Sequence, residues 1–222
     1  MSVTADRCTP VKILMQAAPS KGRWEVWNDW ITLAACAYSM AGGDRPEVRV
    51  EELRRINERY RLEEIEELDR AFTAYIDEIN GNPFQDYLGK LYMEMDFGQT
   101  DIGQFFTPFH LTELMSDLTL GSLDSAIHEK GYVSVYDPAC GGGATLIAAA
   151  EEIYKAGYNP QTFAWFEGQD LSRLTALMCY VQLCSLGLPG RVWIGDTLRM
   201  TQLDCFTTPA GMTPLWQWRM MR

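Results

Sequence analysis

Tyr132-Val133-Ser134-Val135-Tyr136-Asp137-Pro138-Ala139-Cys140-Gly141-Gly142-Gly143 is the stretch on which the fold turns. β-branched and aromatic residues over 132–136 predict a strand, and Asp137 closes it. The glycine run then opens a helix predicted over 144–156, with Gly157 as its stop. Glycines in a strand-to-helix turn let the backbone approach a ligand closely. The amides of the helix start favour an anionic group such as a carboxylate. Taken alone, such a turn suits a dinucleotide or a phosphate equally well.

The residues downstream narrow the choice. A strand is predicted over 163–168, then a helix over 171–186. That helix is apolar nearly all round (Leu174, Leu177, Met178, Val181, Leu183), so it should be buried. Leu188-Pro189-Gly190 turns the chain into a third strand over 192–195. Strands alternating with helices predict βαβ units, a parallel sheet and an α/β fold. The second strand runs into Asp170 and the third into Asp196. Ligands of such sheets bind outside the carboxyl ends of the strands. Asp170 stands where a ribose hydroxyl pair would sit, and Asp196 where an adenine edge would sit. Any one of the three acids is explained as a helix-capping carboxylate; three at consecutive strand ends form a nucleoside-binding arrangement.

Upstream the pattern is helical. The first twenty residues mix Pro, Ser and Thr without periodicity and read as a loose lead-in. Residues 24–41 are apolar and Trp-rich and predict a buried helix stopped at Gly42-Gly43. One long helix is expected over 48–79, with Leu53, Ile56, Tyr60, Ile65, Leu68, Phe72, Tyr75, Ile76 and Ile79 as its stripe. Its charges alternate in sign, which describes a solvated face. Gly81-Asn82-Pro83 ends it. The chain therefore divides into a helical N-terminal region, 1–100, and a cofactor-binding domain, 101–222. At the start of the second part lies Gly103-Gln104-Phe105-Phe106-Thr107-Pro108, in which Thr107 caps a helix and Pro108 takes its first position. Leu111, Leu114, Met115 and Leu118 share one face of that helix, and Gly121 closes it.

Composition bounds the rest. The 222 residues are 47% hydrophobic and 12% aromatic, as in a folded globular protein. No signal-peptide pattern and no stretch of ~18 uncharged apolar residues is present, which predicts a cytoplasmic location and no membrane partner. The six cysteines show no C-x-x-C pairs and the two histidines are isolated, so no metal site is expected and the thiols read as buried. The formal charge is −11, and from residue 101 onward twelve acidic residues face seven basic ones. Proteins that hold DNA unaided usually show a basic face. Such a balance points to a partner for any DNA contact, and leaves the acidic surface open to a protein partner.

Four segments together resemble the gamma-class adenine-N6 DNA methyltransferases, the family of the modification subunits of type I restriction systems. Gly103-Gln104-Phe105-Phe106-Thr107-Pro108 is similar to their first motif, and residues 137–143 to their cofactor loop. Gly168-Gln169-Asp170 resembles their ribose-binding strand end, and Gly195-Asp196-Thr197-Leu198 their adenine-contacting turn. Asp86-Tyr87-Leu88-Gly89 through Met93 looks like the helix before the first motif. The resemblance covers residues 86–198 and implies an S-adenosylmethionine-dependent methyltransferase, with a Rossmann-like core. By it, Asp137, Ala139, Cys140, Gly141 and Gly143 would surround the methionine part. Gln104, Thr107 and Pro108 would lie at its amino acid end, and Asp170 at the ribose hydroxyls. Asp196 would accept from the adenine amino group, while Leu171, Leu198 and Phe106 would lie against the nucleoside.

Adenine-N6 transfer in this family uses Asn or Asp, two prolines and an aromatic residue. The exocyclic amine is a poor nucleophile, because its lone pair is delocalised into the ring. An amide or carboxylate oxygen and a proline carbonyl accept its two hydrogens, and the aromatic ring stacks on the flipped-out base. In these residues the nearest stand-in is Thr207-Thr208-Pro209-Ala210, which makes Thr208 and Pro209 the candidate catalytic positions. Two functions follow: a DNA adenine methyltransferase that relies on a partner, or a non-catalytic relative that binds the cofactor or another protein. Trp216 and Trp218 read as a satellite of the core.

Overall fold

β-branched and aromatic runs punctuated by glycine build a four-stranded sheet, and the amphipathic segments pack over its crossovers. The computed structural model describes residues 9–40, 44–95 and 123–221. Five helices come first: α1 (Pro10–Ala17), α2 (Arg23–Ser39), α3 (Pro46–Asn57), α4 (Leu62–Gly81) and α5 (Tyr87–Glu94). Then follow α6 (Leu123–Lys130), β1 (Val133–Asp137), α7 (Ala144–Lys155), the short α8 (Pro160–Phe163), β2 (Ala164–Asp170) and α9 (Arg173–Ser185). The described part ends with β3 (Gly190–Ile194), β4 (Asp204–Thr207), a 3-10 turn (Pro209–Met212) and α10 (Pro214–Met220).

The strands lie in the order β1-β2-β3-β4. The first three are parallel, and β4 runs antiparallel to β3. Parallel neighbours need long crossovers, which α7 and α9 supply. Both helices cover one face of the sheet. Gly168, Val192 and Phe206 stand side by side in register on that face. A Cβ at Gly168 would lie 3.3 Å from Leu146 of α7, and Tyr180 of α9 packs on Phe206 with ring centroids 5.1 Å apart. The opposite face carries Trp165, Glu167, Arg191 and Trp193. There Arg191 Nε stands 3.0 Å from Glu167, and Trp216 of α10 packs on Trp165 at 5.5 Å. Trp216 is thus part of the core, whereas Trp218 is exposed.

The N-terminal helices are tied to α9 and β4 by specific pairs. Tyr38 and Ser185 hydroxyls meet at 3.1 Å, and Arg173 donates to both Glu52 oxygens at 2.7 and 2.8 Å. Asp44 Oδ2 accepts from Thr207 N and Oγ1 at 3.1 and 2.7 Å. Arg49 is 1% exposed, forks onto Asp204 at 2.8 and 2.7 Å and stacks 3.7 Å from the Phe206 ring centre.

Two helical expectations are corrected. The single helix over 48–79 is two helices, broken at residues 58–61. Buried Asp29 of α2 draws this break inward, accepting from Tyr60 Oη at 2.8 Å and Arg59 Nη2 at 2.6 Å. The lead-in contains α1, whose Val11, Ile13, Leu14 and Ala17 are buried. β1, α7, β2, α9 and β3 fall within three residues of their predicted bounds.

Burial pulls the Asp204 carboxyl up, but the Arg49 hydrogen bonds and charge outweigh it, so its pKa is held below the usual carboxylate range. Arg49→Ala leaves a partly buried carboxylate with only the exposed Arg45, at 3.5 Å, as a cationic partner among the described residues. It should lower stability by about 3–5 kcal/mol in urea unfolding at pH 7. Because the folded-state pKa is depressed, Asp204 contributes fully above its unfolded value of about 3.9, and this is lost as pH falls through the folded value. The stability gap between wild type and Asp204→Asn should therefore narrow on acidification below about pH 4, and a constant gap would refute the charge assignment.

Candidate functional site

β1 ends at Asp137, and the chain crosses the end of β2 before entering α7. Asp137 Oδ1 accepts from Ala139 N at 3.0 Å, which closes a tight turn. Cys140 N donates to Gln169 O at 3.0 Å, and Gly143 N donates back to Cys140 O at 2.7 Å. Gly141 and Gly143 have φ of +51° and +97°, the left-handed region that side chains disfavour. At Gly143 a Cβ would also meet Cys179 Sγ at 2.9 Å. The Cys140 thiol lies over β2, 2.9 Å from where a Gly168 Cβ would be. The loop is therefore pressed onto β2 and α9. A thiol hydrogen bond to Cys179, then burial, push the Cys140 pKa well up, so this sulfur stays neutral and packs rather than reacts.

Gly143 caps α7 without a side chain. The first-turn N–H groups of this 12-residue helix thus have no side-chain partner from the cap and offer their positive end to an anion. Asp170, at the end of β2, accepts from Gly141 N through Oδ2 at 2.9 Å. Its Oδ1 accepts from Ser172 N at 2.8 Å and Thr175 Oγ1 at 3.0 Å. Asp196, past β3, accepts from Leu198 N at 2.9 Å and Arg199 N at 3.1 Å. Thr197 Oγ1 donates to Pro138 O at 2.6 Å and joins the third loop to the first. Gly195 is required there, since a Cβ would strike Thr201 O.

The structure thus brings Asp137, Ala139, Cys140, Gly141, Gly143, Asp170 and Asp196 to one edge of the sheet. Leu171 and Leu198 stand at the same edge, 68% and 96% exposed. Sequence reasoning missed Tyr136, exposed beside Asp137, and Gln182, whose amide reaches the loop. Gln182 did leave a signal, as one long polar side chain in an apolar helix. Gln104, Phe106, Thr107 and Pro108 lie outside the described residues.

Thr208 and Pro209 lie away from these loops. β4 is antiparallel, so its end lies at the amino end of β3, roughly 13 Å from the loops at about 3.3 Å per residue. Thr208 is fully buried, its Oγ1 accepting from Gly190 N and Gly211 N at 3.0 and 3.2 Å and donating to Leu188 O at 2.9 Å. It is a brace. A cleft of about 1100 Å³ also lies at that far end, among Pro83, Phe84, Tyr154, Tyr158, Pro160 and Leu186. It shares no residue with the loops. Among the described residues no group of three or more His, Cys, Asp or Glu is placed to hold a metal, and no helix is long and apolar enough to cross a membrane.

A glycine cradle on parallel strands, with an acid at each of three strand ends, defines an α/β protein of the Rossmann-like class. The N-6 DNA Methylase family model matches residues 85–208, more than half of the chain, and the chain belongs to that family. The methylase subunit of the type I restriction enzyme MjaIX of Methanocaldococcus jannaschii is 26% identical over 138 residues. That match takes in 62% of this chain and 22% of the relative, so the chain spans about a fifth of that protein's length. A solved structure from Listeria monocytogenes, described as a class I S-adenosylmethionine-dependent methyltransferase, aligns over 88% of this chain and 55% of that one. Its TM-score is 0.44 and its identity 18%.

Two glycines separate the requirements of the cradle. Gly157 has φ +90° with open space around it, so Gly157→Ala should cost about 1–2 kcal/mol from backbone strain alone. Gly143→Ala adds the collision with Cys179 and should cost about 1–3 kcal/mol more. Thermal unfolding of both variants measures the difference, and equal costs would show that the loop is not packed tightly on α9.

Proposed function

We propose that residues 137–143 bind S-adenosylmethionine and that the chain acts as an adenine-N6 DNA methyltransferase-type protein. The observation that carries this reading is the set of acids at three consecutive strand ends around an uncapped helix start. Membership in the N-6 DNA Methylase family supports it.

The residues suit the cofactor group by group. The amino end of α7 accepts a carboxylate, and Gly141 and Gly143 leave it room to approach. Asp170 uses three of about four acceptor positions within the protein, which leaves one for a ribose hydroxyl. Asp196 Oδ2, with only the exposed Arg199 Nε near it at 3.5 Å among the described residues, keeps acceptor capacity for an adenine amino group, with Leu171 and Leu198 as apolar flanks. S-adenosylmethionine, when bound, supplies an electrophilic methyl on a sulfonium. The chain's part is to orient it and keep its charged end anchored.

DNA is the proposed substrate, held with a partner subunit. The excess of acidic over basic residues gives little phosphate affinity, and the relative from Methanocaldococcus jannaschii is itself named as a subunit. A second reading is favoured by Thr208, a buried brace where a catalytic group was expected. On that reading the chain binds the cofactor without transferring from it.

Calorimetry with S-adenosylmethionine, beside methyl transfer from labelled cofactor to adenine-unmethylated DNA, separates the readings. Binding with transfer supports the methyltransferase, and binding without transfer the second reading. No binding at all would sink both. Asp137→Ala opens the turn at Ala139 and should raise the cofactor Kd at least tenfold, with cooperative unfolding retained.

A further inference from the structure

Gln182 lies in α9 at 2% exposure, surrounded along the helix by apolar side chains. Burying an amide costs about 1–3 kcal/mol where its groups go unpaired. Here all are paired. Nε2 donates to Gly142 O at 2.7 Å and to Asp86 Oδ1 at 2.8 Å, and Oε1 accepts from Leu88 N at 3.1 Å. A planar amide offers two N–H donors and a carbonyl acceptor. Its three neighbours are two acceptors and one donor, which selects glutamine and fixes its orientation. Glutamate brings no donor, and leucine neither donor nor acceptor.

The partners belong to separate pieces of the site. Gly142 is in the loop, directly before the uncapped start of α7. Asp86 caps α5 by accepting from Gly89 N at 2.9 Å, and only glycine fits at position 89, since a Cβ would meet Asp86 Oδ2. Leu88 is in the first turn of the same helix. Gln182 thus joins the loop to α5 through one side chain. Ser185, three residues further along α9, ties that helix to α2 through Tyr38 without touching the loop.

The geometry points to Gln182 as a positioning residue: its amide fixes the Gly142 carbonyl against α5 and so aims the amino end of α7 at the cofactor's carboxylate. This rests on the reading that residues 137–143 hold S-adenosylmethionine. The bonds it invokes bear on the amino acid end of that cofactor and not on its nucleoside. A residue that only stabilised the fold would make no such distinction.

The test uses the full chain and two probes, S-adenosylmethionine and 5′-methylthioadenosine, which keeps the nucleoside and lacks the amino acid. Gln182→Leu should raise the Kd for the first about tenfold or more, and leave that for the second within about twofold. Ser185→Ala should change neither. Equal weakening of both probes, or of neither, overturns the assignment. Where Gln182→Leu gives no cooperative thermal transition, the near-isosteric Gln182→Glu carries the same expectations. Failure of both variants to fold also overturns it, because positioning would then be inseparable from folding. Absence of S-adenosylmethionine binding in the wild type marks failure of the cofactor reading itself, which an unaffected variant beside a binding wild type does not.

Discussion

The Asp170 carboxylate is the constraint on which the functional edge of this molecule depends. It ends β2, the middle one of three parallel strands, and takes three donors from two directions. Ser172 N and Thr175 Oγ1 come from the start of α9, and Gly141 N from the loop. Hydrogen bonds to an ionised group are about twice as strong as neutral ones. A single side chain therefore sets where α9 begins and how low the loop lies over the sheet. Gly168, two residues earlier on the same face, makes that low position sterically possible. Cys140 then fills the space a side chain at 168 would have taken. Ionic tether, missing side chain and buried thiol act as one device.

Much of this was legible from residue types. Strands and crossover helices were readable because β2 and the helix after it are largely buried and apolar, and because glycines mark most of the turns around the sheet. The three acids were readable as a set, since a parallel sheet puts its carboxyl ends on one edge. Their bonding was not. Asp170 was expected to face a ribose, and it also caps α9 and tethers the loop, two tasks that a sequence pattern does not separate. Gly143 carried a general signal for close approach, but the object approached, Cys179, is 36 residues away in the chain and invisible to local reading.

The misread elements share a cause: tertiary contacts decided them. The break between α3 and α4 has no proline, glycine or capping side chain of the usual kind, for Arg61 stands at the cap and Glu64 accepts from its N–H at 2.9 Å. What turns the chain is Asp29, on another helix. α1 spans eight residues, below the length at which helices hold themselves in water, and exists through its packing on α4. β4 spans four residues and follows no periodicity long enough to read. Its antiparallel direction, held from outside by Arg49 and Asp44, carries Thr208 to the end of the sheet opposite the three acids.

The net charge of −11 takes on a more specific meaning once the acids are located. Glu51 on α3 and Glu58 just past its end are exposed and paired with Arg54 or Arg55 at three- and four-residue spacing, where water screens the attraction and little stability is gained. Those acids keep the helical surface soluble and do little else. At the strand ends Asp137, Asp170 and Asp196 are answered mainly by backbone and hydroxyl donors rather than by cations. Such donors hold each carboxylate in place while leaving its charge largely uncancelled at a distance. A zwitterionic amino acid end beside an uncancelled Asp137 meets attraction for its ammonium group and, at the start of α7, for its carboxylate. A polyphosphate backbone meets only repulsion from the same three residues. The edge that suits the proposed cofactor therefore disfavours unaided DNA, and both properties come from holding Asp137 and Asp170 with dipoles, the exposed Arg199 at 3.5 Å from Asp196 being the one cation close to the three among the described residues.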